Sequence, residues 1–127
     1  MIIQNAVFIP STGEIYKSWH RHDYVNFDVG GQFYFIDGGN EYVRTNVLAD
    51  HPHIKWICLH DDDDVQLIID TYVSKDDKGN NKFVKSMSIP ELERVLERMK
   101  HPLVQEALTI MISQKSSLLD MIIEPHG

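Results

Sequence analysis

Two short runs gather residue types that do chemistry near neutral pH: His20, Arg21, His22 and Asp23, then Asp37, Gly38 and Gly39, with Arg44 close behind. On a strand, residues 20 and 22 point to one side, so both imidazoles can reach one ion together with Asp37. His51, His53 or His60 are the further ligands such a site requires. Without a metal, the same residues suit acid–base work. Histidine titrates near neutrality, so His20 or His22 can serve as the base, Asp23 or Asp37 as its orienter, and Arg44 as a bidentate clamp on phosphate or carboxylate. That set fits a phosphodiester or nucleotide-directed reaction. No serine or cysteine nucleophile stands out, which argues against covalent catalysis.

A simpler reading competes with both. Asp37-Gly38-Gly39 has the chemistry of a tight turn, with the aspartate accepting backbone N–H bonds and the glycines taking positive φ. Arg44 then pairs with Asp37 or Asp23, and the His-Arg-His-Asp corner ties two hairpins together through side-chain bonds to backbone. This scaffold reading is the main one for the motif. It calls for no metal, with His20, His22 and Asp37 the candidates if an ion is held, and it implies no cofactor.

Other motifs carry less. The run "DDDD" at 61–64 lacks the alternating spacing of a calcium loop and reads as a solvated helix start. "HPH" before Trp56 reads as a loop entering a strand, and Cys58 as a small buried hydrophobe. There is no P-loop, no dinucleotide glycine fingerprint and no basic-aromatic stripe.

The elements that must position these residues follow from periodicity. "IIQNAVFIP", "PSTG" and "EIYKSW" read as a hairpin over 2–9 and 14–19, and "DYVNFDV" and "QFYFIDG" as a second over 23–28 and 32–37. "GGNEYVRTN" reads as a turn into a short helix near 40–46, capped by Asn40 and carrying Arg44. A buried strand is expected near 53–60 and a helix near 61–73, its acids favoured by the macrodipole. "SKDDKGNN" is a solvated loop, and "KFVKSM" a strand. Ser88 and Glu91 form a capping box with Pro90 in the first turn, "KHP" ends that helix, and further helices are expected at about 102–113 and 116–123. The fold class is α+β: N-terminal antiparallel hairpins or a meander over 1–87, then a helical segment over 88–124.

Size and charge bound the rest. A chain of 127 residues fits one domain, and 43% hydrophobic with 24% charged residues is the balance of a globule that can bury a core. The lone cysteine rules out an intrachain disulfide and fits a reducing compartment. No apolar run approaches the roughly 18–20 residues that span a bilayer, and the N-terminus lacks the basic region of a signal peptide, so the cytoplasm is expected. Net charge is −7, with the acidic surplus in the first two thirds. That sign argues against nucleic-acid binding and favours basic partners or solubility. The final third holds more apolar residues than one stripe needs, which points to packing on the sheet, or to a homodimer or partner interface through the C-terminal helices.

The pattern "S-x-HRHD-Y-V", followed by "IDGG-x-E-Y-V-R", resembles a family of small uncharacterised proteins of tailed bacteriophages and related bacterial genomes over roughly residues 3–46. Many of these relatives look like zinc ribbons, with cysteine pairs around the histidines. Here Ile9, Thr12 and Phe27 are among the residues where such cysteines would fall, so the resemblance implies no ribbon zinc. It implies a phage-encoded accessory protein, uncharacterised in function, with host take-over or counter-defence as its setting. The acidic surface, the surplus apolar helices and the lack of a complete catalytic set point to one that binds a host protein. The alternative is a small hydrolase or nucleotide-binding protein built on His20, His22, Asp23, Asp37 and Arg44. A structural component of the virion is a third option.

Overall fold

In the computed structural model, which describes residues 1–20, 22–39 and 42–123, the β-branched run Ile2–Ile9 forms β1 and pairs antiparallel with β2, Glu14–Ser18. A second hairpin joins β3, Val25–Val29, to β4, Gln32–Asp37, through Gly30 and Gly31 at φ 61° and 84°. Both φ values suit glycine, so the two-residue turn is legible in the letters. The strand β5, Arg44–Thr45, pairs with β4, and β6, Lys55–His60, returns to pair with the far edge of β1. Two three-stranded sheets result, ordered β2-β1-β6 and β3-β4-β5.

Two compact units divide the chain, Met1–Asp63 and Asp64–Gly127. The first unit buries Val7, Ile9, Phe27, Ile36, Val47 and Ile54 as one cluster drawn from both sheets and from the segment between β5 and β6, with Tyr16 stacked on Phe27 at 4.8 Å between ring centres. Alternation along β3 and β4 sends Val25, Phe27, Val29, Tyr34 and Ile36 to that cluster and leaves the intervening residues on the opposite face.

The second unit begins with α1, Val65–Thr71, shorter than the helix expected near 61–73: of the four acids only Asp64 takes part, as the N-cap that accepts the Gln66 N–H, and Val73 is already strand. The hairpin β7–β8, Val73–Lys75 with Asn81–Phe83, follows, then α2, Ile89–Arg98, and α3, Pro102–Ile123. Ser88 and Glu91 make the expected capping box. Ile68, Val73, Val84, Leu92, Val95, Val104 and Leu108 are buried, and α1 and α2 both pack on α3.

The architecture is α+β, antiparallel strands first and helices last. Several expectations are corrected. No helix forms over 42–46: Arg44 and Thr45 are strand, because β4 offers them a ladder, while Asn40 lies outside the described residues. The strand expected through "KFVKSM" stops at Phe83 and tightens into a 3₁₀ turn over Val84–Ser86. Residues 74, 75 and 81 of the supposed loop belong to β7 and β8. The strand β6 begins at Lys55, with only Leu59 of its residues buried. The two final helices are one, because Gln114, Lys115 and Ser116 contain no glycine or proline to interrupt the turn. Among the described residues, no helix is long and apolar enough to cross a membrane.

Candidate functional site

The corner between the two hairpins is organised by a residue outside both motifs. Asn5, wholly buried on β1, donates through Nδ2 to the carbonyls of Asp37 and Gly38 at 3.1 and 2.9 Å, and accepts from Trp56 Nε1 at 2.8 Å. A carboxamide has the donors and the acceptor this arrangement demands, and each is used. The turn it holds tolerates no side chain. Gly38 sits at φ 79°, and a Cβ there would lie 2.2 Å from the Tyr42 carbonyl oxygen; a Cβ on Gly39 would lie 2.9 Å from the Ser18 carbonyl oxygen. Gly39 is therefore required for close approach and not for a positive φ, which only Gly38 of the pair adopts.

Asp23 turns back on its own chain. Its Oδ2 accepts the Trp19 N–H at 2.7 Å, and its carbonyl accepts the Ser18 hydroxyl at 2.7 Å, joining the end of β2 to the start of β3. Its carboxylate is thus engaged with backbone and not with an imidazole. His22 takes φ 66°, a left-handed conformation that costs a residue with a Cβ about 1–2 kcal/mol. Its ring Nδ1 lies 3.2 Å from the Tyr42 hydroxyl, which also accepts the His22 N–H at 3.3 Å. His20 is exposed.

Arg44 does pair with Asp37, Nε to Oδ2 at 3.9 Å, but the arginine side chain is 64% exposed, so the pair contributes little to stability. Contrary to the turn reading, no backbone N–H among the described residues donates to the Asp37 carboxylate. Its Oδ1 is buried and has no hydrogen-bond partner among the described residues. The structure therefore brings together Asp37, Gly38, Tyr42, His22 and Arg44 around one turn, and leaves His20 and the Asp23 carboxylate aside. Among the described residues, no three His, Cys, Asp or Glu side chains gather in a way that could hold an ion, so His20, His22 and Asp37 do not form the set considered for a metal. His51 is committed elsewhere: its Nε2 lies 3.0 Å from the Tyr34 hydroxyl and its Nδ1 accepts the His53 N–H at 3.0 Å. Cys58 is half-buried, and burial followed by the charge of Asp63 pushes its thiol up, away from a reactive thiolate.

No family model matches the chain, and no curated protein or solved structure matches it with significance.

Sequence reasoning missed three residues of this corner: Asn5, Tyr42 and Trp56. Asn5 left a signal, since an amide amid the apolar run "IIQNAVFI" must find buried partners. Reasoning from composition also missed the shape at the end of the second unit. The start of α2 and the last third of α3 flank an open groove of about 390 Å³ lined by Ser88, Ile89, Pro90, Lys115, Leu118 and Leu119. Leu118 is 58% exposed, and Met121, one turn on from it, 70%.

Proposed function

We propose that the protein is a phage-encoded accessory factor that works by binding a host protein and does not catalyse a reaction. The observation that carries this reading is the α2–α3 groove. It is apolar, open and rimmed by large side chains that folding alone gives no reason to leave in water. An amphipathic helix laid into such a groove is a recurrent way for one protein to hold another. The polar corner supports the reading from the other side, because Asp23 and Asn5 spend their side chains on backbone.

A second reading, nucleotide binding or hydrolysis at the corner, draws on one observation: the buried, unpartnered Oδ1 of Asp37 beside Arg44. Native mass spectrometry of the untagged protein purified from a bacterial host separates the two. We expect one host polypeptide at fixed stoichiometry, lost in the Leu118→Glu, Met121→Glu double variant and kept in His22→Ala. Both leucine and methionine are exposed, so the double variant retains the fold. A bare monomer of 14.7 kDa, or a small ligand that His22→Ala releases, overturns the proposal. A homodimer sensitive to the double variant also overturns it, and assigns the groove to a second copy of the chain.

A further inference from the structure

The outer face of the β3-β4-β5 sheet carries an aromatic strip. Tyr24 and Phe35 stack with ring centres 5.2 Å apart and planes 17° from parallel, and Tyr24 is 54% exposed. Phe33, two residues before Phe35 and so roughly 7 Å along the same face, is 77% exposed. Nothing in the folding of the first unit requires this, since the core cluster is built on the other face of the same strands. The strand register sets Asn26 opposite Phe35 and Asp28 opposite Phe33, both exposed, so an amide and a carboxylate stand beside the rings. Asp28 accepts the Gly31 N–H through Oδ1, which fixes it at the tip of the hairpin.

Charge selects the occupant. The unit Met1–Asp63 holds nine aspartates and glutamates against four lysines and arginines. Of those four, Lys17 lies over the Trp19 ring at 4.1 Å, and Arg44, largely exposed, stands beside Asp37. An aromatic face is negative at its centre and attracts a cation placed over it, most strongly a planar guanidinium. The same acidic surplus repels a polyanion, which disfavours single-stranded nucleic acid despite the stacking surface.

The geometry points to a second binding surface on this face, one that takes an arginine-bearing segment of a protein partner, its guanidinium groups stacked on Tyr24, Phe33 and Phe35 and steered by Asp28. This surface is built only from residues of the first unit and shares none with the α2–α3 groove, so either can fail without the other.

The test uses the full chain and three labelled probes: a short peptide alternating Arg and Val, its Glu–Val counterpart, and an oligothymidine strand, each titrated by fluorescence anisotropy at low and at physiological salt. The Arg–Val peptide binds, more weakly at higher salt, and neither of the other two does. Phe33→Ala weakens it about threefold to fivefold, the effect of one exposed cation–π contact. Phe33→Leu keeps an apolar side chain but not the ring, and weakens binding comparably. Equal binding of both peptides, undiminished binding by Phe33→Leu, preference for the oligonucleotide, or binding of no probe overturns the proposal.

Discussion

Asn5 shows how much one side chain can organise. Its amide satisfies two carbonyls of the Asp37–Gly38 turn and the Trp56 indole, linking β1, β4 and β6 from a fully buried position. Truncation to alanine takes the partner from two buried acceptors and from the partly buried Trp56 donor, at about 1–3 kcal/mol for each group that water cannot reach. Some relaxation is expected, so Asn5→Ala should cost about 3 kcal/mol, read as a lower urea midpoint at unchanged slope. Asn5→Asp is the sharper control. It keeps the acceptor for Trp56 but sets a carboxylate oxygen against two carbonyls, and should destabilise at least as much at neutral pH. If Asn5→Ala proves neutral, the turn is held by its glycines and not by the amide.

At the scale of elements, short-range signals were legible and long-range ones were not. The two hairpins, the capping box and the proline break after α2 rest on residues within one turn of each other. Ser88→Ala tests the strongest of these: it removes the acceptor for the Glu91 N–H and should cost about 1 kcal/mol, measured as a fall in Tm of the full chain, with Ser88→Asp restoring most of it. Arg44 and Thr45 read as helix because their neighbours carry helical letters. They become strand because β4, distant in the pattern, supplies a ladder, and Thr45 Oγ1 bonds the Phe35 carbonyl at 2.8 Å. Asn46 extends that edge with its side chain, its amide reaching both the Phe35 N–H and the Phe33 carbonyl. The candidate site was half legible for the same reason. The letters identified Asp37, Arg44 and His22, but Tyr42 and Trp56 join the corner only through tertiary pairing. Beyond the helix ends, the continuity of α3 was hidden by a polar stretch that reads as a loop and is in fact the exposed side of a helix.

For the whole molecule, the response to pH follows from three carboxyls, two phenols and the Cys58 thiol, whose raised value adds to the alkaline limb. The hydrogen bond from the Tyr16 hydroxyl holds Glu14 below the ordinary 4.5, the Arg94 guanidinium, donating from Nε at 2.8 Å, holds Asp77 below 3.8, and the Ser88 N–H holds Glu91 below 4.5. In each case the folded chain binds protons less readily than the unfolded one. The stability these groups confer is therefore full above about pH 5 and is lost as pH falls through the lowered values. The alkaline limb has the opposite sign. Burial pushes Tyr72 up to about 12, and the bond to Glu14 raises Tyr16 to about 12. Unfolded tyrosines ionise near 10, so stability is retained below 10 and lost as pH rises towards 12. A buried phenol shifted by about two units represents on the order of 2–3 kcal/mol. Tyr16 rises as far but is more exposed, and solvent screens its bond to Glu14, so Tyr72 is the larger of the two. Urea midpoints across the range should show a plateau with both flanks falling. Asp77→Asn with Glu91→Gln should lower the plateau and flatten the acid flank, and Tyr72→Phe should flatten the alkaline one. An alkaline flank that Tyr72→Phe leaves as steep as before would show that this ring reaches solvent before the chain unfolds, and that its burial does not set the upper limit of stability.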